Sequence, residues 1–243
     1  MIKVEGFSKS YGDFAAVENL DFDVKAGEIL GLVGSNGAGK TTTLRTLSGI
    51  VSPSKGKLSI AGHDIVADSV GAKRCLGYIP DDPRLFDTLT VWEHLAFTAA
   101  AYKIAEFEPI ARSLLQLFDL TQKSDTPAHQ LSRGMRQKVA IACAYLHAPE
   151  VLLFDEPLTG LDPQGIHTMQ LSLQERARDG AAIVISSHLL SLVQQLCTHL
   201  LVLDHGRCLW FGPIDDALRM SGDDLDNSSL QKAFFKLTGQ ATQ

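Results

Sequence analysis

The stretch Gly34-Ser35-Asn36-Gly37-Ala38-Gly39-Lys40-Thr41 constrains the chain more than any other, because it sits between an apolar run, Glu28 to Val33, and a helix-like segment, Thr42 to Gly49. The run before it reads as a buried strand, and the segment after it as a helix closed by glycine. Gly34, Gly37 and Gly39 permit a tight turn whose backbone N–H groups point inward, with no Cβ to keep a polyphosphate away. Lys40 can then reach the β- and γ-phosphates as a mobile charge, and the Thr41 hydroxyl suits a Mg²⁺ ion. The positive end of the helix beginning near Thr42 adds to the attraction. The whole run from Gly34 to Thr42 is therefore read as holding nucleotide phosphates.

A strand, loop and helix of this kind need a sheet around them. Short alternating segments, Ile2 to Phe7, Ala15 to Val17, Leu20 to Val24 and Ile29 to Val33, read as strands separated by turns, and Lys57 to Ile60 and Leu76 to Ile79 continue that pattern. From Thr90 to about Ala148 the periodicity becomes helical, through Trp92, Leu95 and Ala99, then Leu114, Leu117 and Phe118, then Val139, Ala142 and Leu146. That region is expected as a helical subdomain, about 83–148, inserted into an α/β core. Beyond it the chain alternates strand (Val151 to Phe154), helix (Pro163 to Arg178), strand (Ala182 to Ser186), helix (Leu189 to Cys197) and strand (Leu200 to Leu203), which implies a parallel sheet with right-handed crossovers. One domain is expected over 1–219. Over 220–243 the chain reads as an acidic linker, Met220 to Asn227, and a short capped helix, Ser228 to Leu237, ending at Gly239.

The strand Val151 to Phe154 runs into Asp155-Glu156-Pro157, and ligands of parallel sheets bind at the carboxyl ends of strands. Asp155 is expected to meet Mg²⁺ beside Lys40, and Glu156 to act as general base on an attacking water. A second anion site is suggested by Leu131-Ser132-Arg133-Gly134-Met135, where Ser132 can cap a helix and Gly134 leaves its first N–H groups uncovered. Taken alone, that segment also fits an ordinary helix start with a solvated basic face. One phosphate chain per fold is expected, so a second site suggests ATP presented by another copy of the protein.

Composition removes several alternatives. With 45 % apolar residues the chain reads as a soluble globular protein, and a formal net charge of −6 disfavours general binding to nucleic acid or to an anionic membrane. Neither end reads as a signal peptide, and no run approaches the ~18 apolar residues needed to span a bilayer, so any membrane role must come through a partner. Cys75, Cys143, Cys197 and Cys208 stand singly, as reduced cytoplasmic thiols do, and the eight histidines form no ligand pattern.

The ordered set Tyr11, the phosphate loop, Leu76-Gly77-Tyr78-Ile79-Pro80-Asp81, Leu131-Ser132-Arg133-Gly134-Met135, Asp155-Glu156, Leu161-Asp162 and Ser186-Ser187-His188 resembles the ATP-binding subunit of ATP-binding-cassette (ABC) transporters over nearly the whole chain. The resemblance implies a P-loop NTPase of the ABC-cassette type: an α/β fold with a RecA-like parallel-sheet core, an N-terminal antiparallel β subdomain and an inserted α-helical subdomain. It also implies a head-to-tail dimer, of two copies or of a copy and a homologous subunit, that sandwiches two ATP molecules and drives a separate membrane permease. The chain would then lie at the cytoplasmic face of the membrane, with ATP and Mg²⁺ as its cofactors. Carried over by position, Tyr11 stacks on adenine, Ser132 and Gly134 meet the γ-phosphate of the partner's ATP, His188 contacts the γ-phosphate in its own subunit, and Asp162 lies at the dimer seam. Two positions depart from the common pattern: Asp81 stands where glutamine is usual, as a possible Mg²⁺ ligand, and the signature reads Leu-Ser-Arg-Gly-Met, a variant similar to that of ABC-2-type export subunits. Leu85 and Phe86, within Arg84 to Thr90, are expected to border a groove for a short helix of the membrane partner. The rival reading is a soluble cassette ATPase with a mechanical or regulatory role.

Overall fold

The computed structural model describes residues 1–219 and 229–239. Alternating apolar residues make a hairpin of β1 (Ile2–Tyr11) and β2 (Phe14–Val24), which turns at Gly12-Asp13 and pairs Tyr11 with Phe14 at its tip. The two short strands expected over Ala15 to Val17 and Leu20 to Val24 are one. β1 inserts one extra residue, at Gly6, and β2 inserts two, one of them at Asn19; φ is 58° at Gly6 and 45° at Asn19, so the polar pair Glu18-Asn19 is a bulge and not a break. The chain then leaves this sheet through β3 (Ile29–Gly34), passes the glycine-rich loop and enters α1 (Lys40–Leu47). It returns as β4 (Lys55–Ile60) and β5 (His63–Asp64), which complete an antiparallel sheet of order β2-β1-β4-β5.

A short helix follows, α2 (Ser69–Arg74), capped by Asp68, whose carboxylate accepts from the Gly71 N–H at 3.0 Å. It is the crossover that carries β6 (Leu76–Ile79) into the other sheet, where β6 lies parallel to its neighbour. Leu76 to Ile79 is thus a strand, as expected, but it belongs to the parallel sheet and not to the antiparallel one that the strands before it form. Four apolar residues fit either sheet equally well, and the unrecognised helix before them decides.

The helical region consists of α3 (Val91–Tyr102), α4 (Glu108–Leu117) and α5 (Arg133–Tyr145), as expected. A capping box starts α3: Thr90 Oγ1 accepts from Glu93 N at 3.1 Å and Glu93 accepts from Thr90 N at 2.7 Å. Trp92 packs half-buried on Phe107, and Leu95 is fully buried, so both serve the core of this region.

From there the order is β7 (Val151–Asp155), α6 (Pro163–Arg178), β8 (Ala182–Ser186), α7 (Leu190–Leu196) and β9 (His199–Asp204), close to the expected alternation. A strand not foreseen, β10 (Arg207–Pro213), turns back at His205-Gly206 as an antiparallel edge, and α8 (Ile214–Arg219) follows. The second sheet has the order β10-β9-β3-β8-β7-β6. The acidic stretch Met220 to Asn227, and Ser228, lie outside the described residues. Helix α9 (Leu230–Thr238), capped by Ser229 and closed at Gly239, packs on α7 and α8 and buries Leu230 and Ala233. No helix among the described residues is long and apolar enough to cross a membrane.

The parallel strands are apolar on both faces because each face meets a separate core. Leu30, Leu32, Val151, Leu153 and Val184 face the antiparallel sheet and α1, while Ile29, Val33, Leu152, Phe154, Ile183 and Ile185 join the helices. This double burial holds the ends of β3, β7 and β8 rigidly side by side. Phe154, fully buried one residue before the acidic pair, is a direct test. Phe154→Ala is expected to cost about 3–5 kcal/mol, read as a lower urea midpoint at an unchanged slope.

Candidate active site

At the start of α1, Gly39 takes φ 107°, and a Cβ there would lie 2.7 Å from the Ala16 carbonyl oxygen, so the loop requires glycine. No side chain caps this helix. Its first N–H groups are left open where Asn36 to Thr42 line a cleft of about 350 Å³ together with Tyr11, Phe14, Ala16, Asp81, Asp155 and Glu156. Tyr11 and Phe14 reach it from the hairpin tip, both exposed, with Lys9 Nζ 4.9 Å from the Tyr11 ring centroid. Gly34 and Ser35 contribute carbonyls: Lys40 Nζ donates to Gly34 O at 2.8 Å and to Ser35 O at 3.1 Å. Burial pushes the Lys40 ammonium below its ordinary pKa, while Glu156 and Asp155 act in the opposite sense. Lys40 is thus a desolvated cation held by neutral carbonyls beside two carboxylates.

The ends of β7 and β8 meet α1 at Asp155, which is 3 % exposed. Asp155 Oδ1 accepts from Ser186 Oγ at 2.7 Å and from Thr41 Oγ1 at 3.2 Å. The Ser186 hydroxyl oxygen in turn accepts from Glu156 N at 3.0 Å, with Ser186 O also within 3.2 Å of that nitrogen. These bonds hold Glu156 at φ 49°, a left-handed conformation that costs a residue with a side chain about 1–3 kcal/mol. The turn swings the Glu156 carboxylate toward His188, whose Nδ1 donates to Glu156 Oε2 at 2.8 Å. Hydrogen on Nδ1 is the tautomer this contact requires, since an ionised carboxylate only accepts.

Three other sequence-derived residues, Ser132, Gly134 and Asp162, do not line this cleft. Ser132 caps α5, its hydroxyl accepting from Met135 N at 3.3 Å. Gly134, expected to uncover helix N–H groups, has a different structural reason for lacking a Cβ: one would sit 2.5 Å from the Gly160 carbonyl oxygen, so α5 approaches the segment after Glu156 very closely. Asp162 caps α6 through Gly165 N at 3.0 Å and lies 3.8 Å from Lys138 Nζ. Asp81 lines the cleft, but Arg133 Nη2 donates to its Oδ1 at 2.9 Å. Ser186 and Phe14 were not singled out from sequence. Ser186 stood only within Ser186-Ser187-His188, and Phe14 could have been found from its place opposite Tyr11 across the Gly12-Asp13 turn.

Mg²⁺ asks for oxygen ligands and keeps few from protein. Thr41, Asp155 and Asp81 present oxygens to one cleft, and the described residues contain no group of three or more His, Cys, Asp or Glu able to hold a metal by itself. That donor set fits an ion shared with phosphates.

The family profile described as ABC transporter matches residues 17–159. The chain is 32 % identical to the ABC-type transporter ATP-binding protein EcsA of Bacillus subtilis over 98 % of this chain and 96 % of that one. It is 36 % identical to the Nod factor export ATP-binding protein I of Ralstonia nicotianae, over 93 % of this chain and 74 % of the other. A solved structure described as the ATP binding subunit of an ABC transporter superposes with a TM-score of 0.92 at 35 % identity, covering 98 % of this chain and 99 % of that chain. A phosphate loop, a strand-end acidic pair and a helix-bearing insertion in this fold, matched along the full length by such relatives, place the chain in the ABC transporter family as an ATP-binding cassette ATPase.

Proposed function

We propose that this chain drives a separate membrane-spanning permease, with export as the direction, by closing on a second copy or a homologous subunit around two ATP molecules. The observation that carries the reading is the Thr41–Asp155 contact, which joins the phosphate loop to the acidic strand end in one cleft with Glu156 beside it. Tyr11 supplies a stacking face for adenine, and Lys40 leaves its carbonyls for the β- and γ-phosphates. Thr41, Asp155 and Asp81 are the residues that would hold Mg²⁺, which would supply neutralisation of phosphate charge. His188 orients Glu156 through Nδ1 and contacts the γ-phosphate, while Glu156 takes the proton of the attacking water. Positioning and charge do most of the work in such a reaction. Ser132, Gly134 and Asp162 lie outside their own cleft, which supports a second copy bringing Ser132 and Gly134 to the γ-phosphate, with Asp162 at the seam. Export is supported by the name of the Ralstonia relative and by the Leu-Ser-Arg-Gly-Met signature.

A second cleft, of about 310 Å³, supports docking to the permease. It is lined by Pro83, Arg84, Leu85, Phe86, His94 and Phe97 among others. Phe86 and Phe97, 56 % and 55 % exposed, meet edge to face at 5.3 Å. Buried His94 fixes the segment: its Nε2 accepts from Phe86 N at 3.0 Å and its Nδ1 donates to Thr90 O at 2.7 Å. Two exposed aromatics on a braced loop suit a short apolar helix of a membrane protein. The chain works at the cytoplasmic face of the membrane through that contact.

Glu156→Gln is expected to bind ATP, lower turnover by about a hundredfold or more, and accumulate an ATP-bound dimer on size exclusion; undiminished turnover would remove Glu156 as the base. Lys40→Ala is expected to fail earlier, losing the rise in thermal midpoint that ATP gives the unaltered chain. Phe86→Glu should sharply reduce recovery of the permease with this chain from detergent-solubilised membranes, whereas Ile50→Glu, at an exposed site that does not line this cleft, should not.

A further inference from the structure

Two of the residues at which this chain departs from the common family pattern, Asp81 and Arg133, touch each other. Arg133 Nη2 donates to Asp81 Oδ1 at 2.9 Å, with the side chains 52 % and 49 % exposed. Asp81 lines the nucleotide cleft with Thr41 and Asp155, and Arg133 is the first residue of α5, next to Ser132. The stem of Arg133 also lies over Gly160, since a Cβ on that glycine would come within 3.3 Å of Arg133 Cδ and 3.4 Å of Cγ. One side chain therefore touches the cleft carboxylate, the signature helix and the segment after Glu156.

We propose that Asp81 and Arg133 form a latch within the subunit, in which Arg133 is a positioning residue that competes with the cleft cation for the Asp81 carboxylate. A guanidinium bound to this carboxylate lowers its attraction for a second cation by charge repulsion and by occupying Oδ1. A half-exposed pair is weakly held, so a divalent cation arriving with a polyphosphate displaces it. Displacement frees a positive charge beside Ser132 at the start of α5, and ties the loading of one cleft to the state of the helix that serves the other. The coupling is reciprocal, so an anion that draws Arg133 away eases cation binding at Asp81. Glutamine at position 81 would offer arginine a neutral amide oxygen in place of a carboxylate, and so a weaker bond.

The inference rests on Asp81 serving the cation, and the experiment separates the two claims. Binding of a non-hydrolysable ATP analogue is measured across a Mg²⁺ titration for the full chain and for Arg133→Gln, Arg133→Lys, Asp81→Asn and the Asp81→Asn/Arg133→Gln double variant. Arg133→Gln is expected to lower the Mg²⁺ needed for half-maximal binding about two- to fivefold, with the shift shrinking as salt rises. Arg133→Lys, which keeps the charge, should restore most of the original requirement. Asp81→Asn should raise the requirement, and adding Arg133→Gln to it should change nothing more. If Asp81→Asn raises the requirement but Arg133→Gln leaves it alone, or if the Arg133→Gln shift survives in the double variant, the latch is overturned. A requirement unmoved by Asp81→Asn overturns the assignment of Asp81 to the cation, and the latch with it.

Discussion

A carboxylate as buried as Asp155 is tolerated only when its oxygens are hydrogen-bonded, and everything in the cleft follows from how that is done. Its two hydroxyl donors, Ser186 and Thr41, come from β8 and α1, so the contact exists only because β3, β8 and β7 lie side by side and parallel. The same Ser186 oxygen accepts from Glu156 N and offsets the cost of its left-handed backbone. Losing that one hydroxyl would leave a buried carboxylate short of a donor and a strained residue short of an anchor, a penalty of about 1–3 kcal/mol. Lys40 belongs to the same balance. Its ammonium is disfavoured by burial and favoured by Glu156 and Asp155, so the cleft holds a cation whose environment a polyphosphate would improve. The phosphate loop, the acidic strand end and the buried serine are one electrostatic unit built from three distant stretches of chain.

The sequence revealed the parts of this unit that are short-range. The glycine spacing of the loop, the apolar run ending in Asp155-Glu156 and the span of α6 each depend on neighbours within a few residues, and each stands as read. What stayed hidden depends on partners far along the chain. Leu76 to Ile79 has the same pattern in either sheet, and only its pairing with Val151 to Phe154 assigns it. The strand Arg207–Pro213 carries the short apolar run Cys208 to Phe211 but is exposed or half-exposed along its length, and it is its antiparallel pairing with β9 that makes it the sheet edge. Ser186 reads as an ordinary strand end until Asp155 and Glu156, some thirty residues earlier, are placed against it. Gly134 is the instructive case. Local reasoning explained it by open helix N–H groups, whereas the fold explains it by the nearness of Gly160.

That nearness limits which parts of the molecule can move independently. Glu156 and Gly160 are four residues apart on one loop, and Gly160 presses on the first turn of α5. Lys138 and Asp162 add an ion pair at 3.8 Å between α5 and the start of α6. The acid at the cleft and the serine presented to the outside are therefore linked through packed backbone, where a displacement of about an ångström is strongly resisted. A change at Glu156 is transmitted to Ser132 without a long pathway.

The segment 80–87 is held in the opposite manner. Three residues of α5 reach it: Arg133 to Asp81, Gln137 Nε2 to Pro80 O at 3.5 Å, and Arg136 to Asp87 at 3.6 Å. The two ion pairs are partly exposed, worth about 0–1 kcal/mol each, and the Gln137 contact is long. On its far side the segment carries Phe86, braced by His94 and open to the groove. Asp81 in the nucleotide cleft and Phe86 in the second cleft thus sit at the two ends of a short strip that β6 anchors firmly and α5 holds loosely. A strip so mounted yields first at its α5 contacts, while His94, and His129 through two bonds to Asp87 O at 2.9 and 3.1 Å, keep its far end in place. Give between the two clefts is accordingly concentrated at the Asp81 end of the strip, where its bonds to α5 are weakest.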